Sequence, residues 1–378
     1  MTFAIGKHRI EAGCPPFIIA ELSGNHNGSL ERALEIVDAA ADAGAHAIKM
    51  QTYRADTITL DSHKEAFLIR DETSLWNARR LYDLYEEAHT PWDWHASIMQ
   101  RAEARGMTCF SSPFDFEAVE FLESLDACAY KIASFELTHL PLIRACARTG
   151  KPLIMSTGMA TPEEISLALS AAYDAGAKNV ALLKCTSQYP ADARDANLAT
   201  MDDMRVRFPK TEIGLSDHTP GCGASVAAVM RGATIIEKHF TLRRADGGVD
   251  SAFSLEPHEL RQLVDVIRKA WEITQAGENV DFDALGMTPE DVERARLAKG
   301  RVVYGGTENE EASRRFRPSL WVAKDVKKGE KLTPHNLLIR RPAAGGMEPK
   351  EYENALGKTL AQDVEAATPL TKKLLTAQ

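Results

Sequence analysis

Two histidines stand just past the ends of apolar, strand-like runs: His218 closes Thr211-Glu-Ile-Gly-Leu-Ser-Asp-His, and His239 closes Thr234-Ile-Ile-Glu-Lys-His. They are about twenty residues apart, the length of one strand-plus-helix unit, so in a parallel α/β protein they occupy the same end of adjacent strands. Imidazoles so placed can converge on one divalent ion, with Asp217 and Glu237 near enough in sequence to orient the rings or hold a water. Taken singly, each histidine reads as a strand cap. Their matching positions favour a metal site.

The same pattern of polar strand ends recurs along the chain. Glu21 and Asn25 follow the first apolar run, Lys49 and Gln51 end the second, Ser111 and Ser112 the third, and Lys131, Ser134 and Glu136 the fourth. Ser156 ends the fifth, Lys184, Ser187 and Tyr189 the sixth, Ser216 precedes His218, and Glu237 precedes His239. Such a ring loses hydration without return unless a ligand replaces the water. Three lysines and several hydroxyls suit a small, multiply charged anion. Glu21, Glu136 and Glu237 suit sugar hydroxyls, metal-bound water or proton transfer. A Schiff-base aldolase is the competing enzyme class, since Lys131 and Lys184 both end strands. A non-catalytic sugar-binding protein is the third class, and it has no use for both histidines and the anion ring. Cys185, with no base beside it in sequence, is read as a small buried side chain.

Positioning this ring requires eight strands, and the sequence supplies eight candidates: Phe17–Ala20, Ala47–Met50, Thr108–Ser111, Ala129–Ile132, Leu153–Ser156, Val180–Lys184, Glu212–Leu215 and Thr234–Glu237. Their nearly continuous apolar character fits strands covered on both faces. Helix-like segments alternate with them, among them Ser29–Ala43 and Thr161–Ala175, the latter opening Thr-Pro-Glu-Glu with an N-cap, a first-turn proline and early acids. Eight strand-helix units predict an α/β fold of the (β/α)8 TIM-barrel type, and no G-x-G-x-x-G follows the first strand to suggest an open sheet. The expected organisation is a barrel over 1–285, a connector with some helix over 286–315 and a small domain of short strands over 316–378. The long irregular stretch 53–91 reads as a lid or binding loop whose Trp76, Tyr82 and Tyr85, followed by Trp92 and Trp94, line a pocket or pin the loop to the barrel.

A chain of 378 residues exceeds one hydrophobic core, and its 44% hydrophobic content is that of an ordinary soluble protein. No apolar run is long enough to span a bilayer, and the N-terminus lacks a signal-peptide layout, so the expected location is cytoplasmic with no membrane partner. The six cysteines lack C-x-x-C spacing, which argues against a zinc knuckle or disulfide framework. A net charge of −9 without a basic stretch argues against nucleic acid.

Several ordered motifs carry a resemblance. Phe17-Ile-Ile-Ala-Glu-Leu-Ser-Gly-Asn-His-Asn-Gly, Ala47-Ile-Lys-Met-Gln-Thr, Tyr130-Lys-Ile-Ala-Ser, Ile154-Met-Ser-Thr-Gly-Met, Leu215-Ser-Asp-His-Thr and Glu237-Lys-His-Phe-Thr-Leu together resemble the sialic acid synthase family. Lys324-Asp-Val-Lys-Lys-Gly-Glu and Arg340-Arg-Pro resemble that family's antifreeze-like (SAF) domain. The segment from Leu75-Trp to Trp94-His and the run Arg244-Ala-Asp-Gly-Gly-Val-Asp-Ser-Ala-Phe-Ser are similar to the pseudaminic acid synthase branch.

The resemblance implies condensation of phosphoenolpyruvate with an amino-sugar aldehyde to a nine-carbon acid and phosphate. For that branch the sugar is 2,4-diacetamido-2,4,6-trideoxy-L-altrose; the alternatives are N-acetylneuraminate or legionaminic acid synthesis from N-acetylmannosamine or a related sugar. It further implies that His218 and His239 bind a divalent metal, Mn2+ or a substitute such as Mg2+ or Co2+. Lys49, Gln51, Ser112, Lys131, Ser134, Ser156, Ser187 and Ser216 would surround phosphoenolpyruvate, joined on the charge argument by Lys184. Glu21, Glu136, Tyr189, Glu237 and Asp250 would serve the sugar, the metal's water or proton movement. Arg341 matches the tail arginine that reaches the barrel mouth of the partner in a domain-swapped homodimer.

Overall fold

The computed structural model describes residues 3–72, 74–278 and 280–376. Positions 1, 2, 73, 279, 377 and 378, which fall within the expected barrel, long loop and tail, lie outside it. A hairpin of β1 (Phe3–Ile5) and β2 (His8–Ile10) precedes eight parallel strands: β3 (Phe17–Glu21), β4 (Ala47–Thr52), β5 (Thr108–Pro113), β6 (Tyr130–Ile132), β7 (Leu153–Ser156), β8 (Val180–Cys185), β9 (Glu212–Asp217) and β10 (Ile235–His239). They pair in chain order, and β10 returns to β3 through Ile235 opposite Phe17, closing the predicted barrel. All eight anticipated strands are present, most of them one or two residues longer at the carboxyl end.

Side chains alternate across each strand, and this decides the site. The inward set packs as Phe17, Ile19, Ala47, Phe110, Ala129, Ile154, Ala181, Leu183 and Ile235, sealed from below by Phe3, Ile5 and Ile10 of the hairpin. Nothing in the expected organisation provides for this plug. Moving up each strand in steps of two, the inward positions turn from apolar to polar: Ile19 to Glu21, Phe110 to Ser112, Ile154 to Ser156, Leu183 to Cys185. A dry lower barrel therefore supports a polar mouth, as is general for this fold.

The surrounding helices are set by local signals. Ser29 accepts a hydrogen bond from the Arg32 N–H at the start of Leu30–Ala43, and Gly44 ends that helix at φ 91°, a left-handed conformation that costs glycine little. Thr161 and Glu164 form a reciprocal capping box at the start of Pro162–Asp174. Within the expected connector, Pro289–Leu297 is helical and packs on the barrel helix Gly223–Met230. Asp291 is buried there, and its Oδ1 accepts from the N–H groups of Cys222 and Gly223, capping the neighbouring helix in trans.

The tail forms an antiparallel sheet, β12 (Leu337–Arg340), β11 (Ser319–Val322), β13 (Thr368–Pro369), around Leu320, Val322, Leu332, Leu337, Leu360 and Leu370. Trp321 points the other way. It packs on Phe67, ring centroids 4.7 Å apart, inside an apolar cluster that also holds Ile58, Leu81, Leu84, Tyr85 and Phe316. The long loop after β4 is thus the surface on which the tail sits. Arg341, just past β12, donates its N–H to Ile58 and is carried over the barrel mouth.

Candidate active site

The pocket at the carboxyl ends of the strands is lined by Lys49, Gln51, Ser112, Lys131, Ser134, Ser156, Tyr189, Ser216, His218, Glu237, His239, Asp250 and Arg341, all expected from sequence. Opposite this polar floor stands an apolar wall of Tyr53, Ile58, Trp76, Leu84, Tyr85, Phe114, Phe135, Val249 and Phe316. Of the loop aromatics, Trp76 and Tyr85 line the pocket. Tyr82 is outside it beneath the Arg80 guanidinium of the same loop, while Trp92 stacks on Phe121 and Trp94 meets His26 edge-on, so those two pin the loop.

Charge is concentrated where β10, β3, β4 and β6 meet. Lys49 pairs with Glu21, and its Nζ is 3.8 Å from Glu237 and 3.4 Å from the Ser112 hydroxyl. Lys131 Nζ lies 3.3 Å from Glu237, which also accepts from the Ser216 hydroxyl at 2.9 Å. Burial works against the Glu237 anion, but Lys131 and Lys49 outweigh it and hold its pKa at about 2. Burial pulls Lys131 below the usual lysine range, with Lys49 adding repulsion. The Ser156 hydroxyl is buried among these groups without a hydrogen-bond partner. Gly158 approaches so closely that a Cβ there would collide with the hydroxyls of Ser134 and Ser187, while its N–H donates to Ser134 at 3.1 Å.

The two histidines come together as expected, with ring centroids 5.3 Å apart. His218 Nδ1 donates to the Thr186 carbonyl at 2.9 Å, which leaves Nε2 free to accept or to ligate. His239 Nδ1 is buried without a hydrogen-bond partner and is 4.0 Å from Asp250. Burial, then the charge of His218 and the nearby lysines, hold His239 well below the usual histidine range, so it is a neutral donor. Among the described residues no group of three or more His, Cys, Asp or Glu side chains is gathered for a metal. Two free imidazole nitrogens facing one pocket fit an ion whose remaining positions are filled by water or substrate.

Four expected residues do not line the pocket. Glu21 and Glu136 stand one layer behind it, each holding a cation that does. Arg341 donates to Glu136 Oε1 through Nε at 2.9 Å and Nη2 at 2.6 Å and to the Tyr85 hydroxyl at 3.2 Å, with Phe135 4.8 Å from its guanidinium. Ser187 is buried behind Gly158. Lys184 is a correction: it has the opposite strand parity from Leu183 and Cys185, so it points out of the barrel, donates to the Cys185 carbonyl at 2.9 Å and belongs to a small cavity beneath Tyr304 and Glu310.

The same parity rule corrects Asp217. It faces away from the histidines, 3.2 Å from Lys238 and bonded to Ser225, and the Thr186 carbonyl orients His218 instead. Cys185 lines the pocket with Sγ 3.9 Å from His218 Nδ1, so a ring nitrogen does stand beside it. Counting in twos from Ala181 would have placed it there. Arg341 reaches the mouth of its own chain's barrel. Phe135, Val249 and Phe316 lie in 3-10 turns and a loop, which carry no strand or α-helix period in the sequence.

Such a pocket places lysines and hydroxyls at its floor, two imidazoles to one side and aromatic surface above. Residues 36–279 match the NeuB family, and residues 317–376 match the SAF domain. A pseudaminic acid synthase of Campylobacter jejuni is 43% identical over 349 residues, covering 92% of this chain and 93% of that protein. One from Helicobacter pylori is 38% identical, covering 94% of this chain and 97% of its own length. Among solved structures, the spore coat polysaccharide biosynthesis protein spsE of Bacillus subtilis superposes with a TM-score of 0.84 at 28% identity, covering all of both chains.

Proposed function

The chain belongs to the NeuB family and carries a SAF domain, and we propose that it condenses phosphoenolpyruvate with 2,4-diacetamido-2,4,6-trideoxy-L-altrose to give pseudaminic acid and phosphate. The observation that carries this reading is the pocket's two unlike walls: buried Lys49 and Lys131 with the serines at the floor, and Trp76, Leu84, Tyr85, Phe114 and Phe135 opposite. The lysines and serines hold the phosphate and carboxylate. The aromatic wall takes the 6-methyl and acetamido methyl groups, and Arg341 brings a donor to the sugar's polar atoms.

C3 of phosphoenolpyruvate forms the new bond to the open-chain aldehyde carbon, and positive charge develops at C2. Water adds at C2 and gives up a proton as the former aldehyde oxygen gains one, and the tetrahedral intermediate then loses its hydroxyl proton to the departing phosphate as the C–O bond breaks, leaving the C2 ketone. Lys49 and Lys131 stabilise the phosphate as it leaves. Glu237, kept ionised, is suited to face the positive charge at C2 rather than to carry protons. Glu136, behind the pocket, holds the Arg341 guanidinium toward it rather than meeting substrate itself. His218 and His239 would hold a divalent ion, Mn2+ or a substitute such as Mg2+ or Co2+. When bound, the ion supplies Lewis acidity toward the aldehyde oxygen. The family resemblance also supports a cytoplasmic homodimer with exchanged tails, in which Arg341 would make its Glu136 and Tyr85 contacts on the second copy.

Specificity constants for the 6-deoxy diacetamido altrose and for N-acetylmannosamine, with mass spectrometry of each product, test the reading. One methyl in an apolar site is worth about 1–3 kcal/mol, and a 6-hydroxyl left against aromatic surface adds a desolvation cost, so the deoxy sugar should be preferred by more than about tenfold. Equal constants would remove the branch assignment. The depressed Lys131 is what a Schiff-base aldolase reading would draw on. Borohydride trapping of substrate on that lysine, with activity surviving a chelator, would establish it instead.

A further inference from the structure

We propose that Glu310, in the connector between barrel and tail, is a positioning residue that fixes the His218 imidazole through a single peptide group. The proposal rests on the reading of His218 as a metal ligand. Glu310 is 2% exposed, and its Oε1 accepts from the Ser187 N–H at 2.7 Å across 123 residues of sequence. Its Oε2 accepts from the Thr307 N–H at 2.8 Å, which holds the carboxylate in place.

The Ser187 N–H and the Thr186 carbonyl belong to the same peptide unit, and that carbonyl accepts from His218 Nδ1 at 2.9 Å. In a trans peptide the N–H and C=O point in opposite directions, so Glu310 and His218 hold the unit from its two sides. An anion on the N–H side polarises the peptide and makes its carbonyl a stronger acceptor. It thereby fixes the Nδ1–H tautomer and aims Nε2 into the pocket, as a carboxylate does when it bonds directly to a ligating imidazole. The connector reaches the same loop a second time, where Asn309 donates to Asp195 at 2.7 Å and the Thr186 hydroxyl donates to the Asp195 carbonyl at 3.1 Å. Docking of the connector and geometry of the histidine are thus joined by hydrogen bonds.

The test uses the full-length protein and its Glu310→Ala, Glu310→Gln and Arg317→Met variants, with Mn2+ binding measured directly by calorimetry. Outer-shell partners of metal ligands typically contribute about 10–100-fold in affinity. Glu310→Ala should weaken Mn2+ by that factor, and Glu310→Gln, which keeps an acceptor for the Ser187 N–H, should lose less. Arg317→Met, at the start of the tail, removes contacts with Glu164 and the Met159 carbonyl beside the connector without touching the peptide, and it should stay within about twofold. Nitrogen-15 NMR of the metal-free protein should show His218 as the Nδ1–H tautomer in the parent and lose that signature in Glu310→Ala. Unchanged Mn2+ affinity and tautomer in Glu310→Ala would overturn the proposal, as would an equal loss in Arg317→Met. If the parent binds no Mn2+, the metal reading falls by itself and the tautomer comparison still decides the role of Glu310.

Discussion

Replacing Lys131 with methionine removes a cation that is 3% exposed and lies 3.3 Å from Glu237. A charge-assisted contact to a bound anion contributes about 1.5–3 kcal/mol, which is about one to two decades in affinity for phosphoenolpyruvate. A second effect acts in the same direction. Glu237 keeps only Lys49 at 3.8 Å as a cationic neighbour, so more of its negative charge faces the arriving phosphate. The loss should therefore sit at the upper end of that range, while affinity for the sugar changes little. The informative comparison is Lys184→Met. Lys184 also ends a barrel strand but points outward, so this variant should leave phosphoenolpyruvate affinity within about twofold. Calorimetric titration of both variants at one ionic strength reads the difference. Unchanged affinity in the Lys131 variant, or a larger loss in the Lys184 variant, would refute the assignment by strand parity.

His218→Ala and His239→Ala should each lose bound metal and nearly all turnover with the fold intact, because both rings face the pocket rather than the packed lower barrel; metal analysis with circular dichroism decides this. Mixing Arg341→Ala subunits with His239→Ala subunits should restore part of the activity if tails are exchanged between copies, and mixed dimers that form yet stay inactive would assign each tail to its own barrel. Asp291→Ala should lower stability by about 0.5–2 kcal/mol, since it uncaps the helix Gly223–Met230, and should leave phosphoenolpyruvate affinity unchanged; a denaturant titration beside the binding curve checks both.

The strands, helix caps and order of elements were legible in the chain because each depends on neighbours close in sequence. Ser29 and Thr161 cap the helices they precede, and alternating strand and helix periods leave few closed architectures. The histidine pair was legible for the same reason, since one strand-plus-helix repeat puts His239 beside His218. Parity is also written there, in the step of two from Leu183 to Cys185, and it places Lys184 and Asp217 on the outer face despite their residue types. Other features had no local signature. Glu21 and Glu136 stand behind the pocket because each pairs with a cation from elsewhere, one on the next strand and one on the tail. The apolar wall gathers Phe114, Phe135 and Phe316 from three separate segments, and Glu310 reaches Ser187 from 123 residues away. The Arg341–Glu136 pair and the contribution of Phe316 arise only when the tail packs on the loop after β4 through Trp321 and Phe67, because burial of apolar area carries no record in sequence of which surfaces will meet.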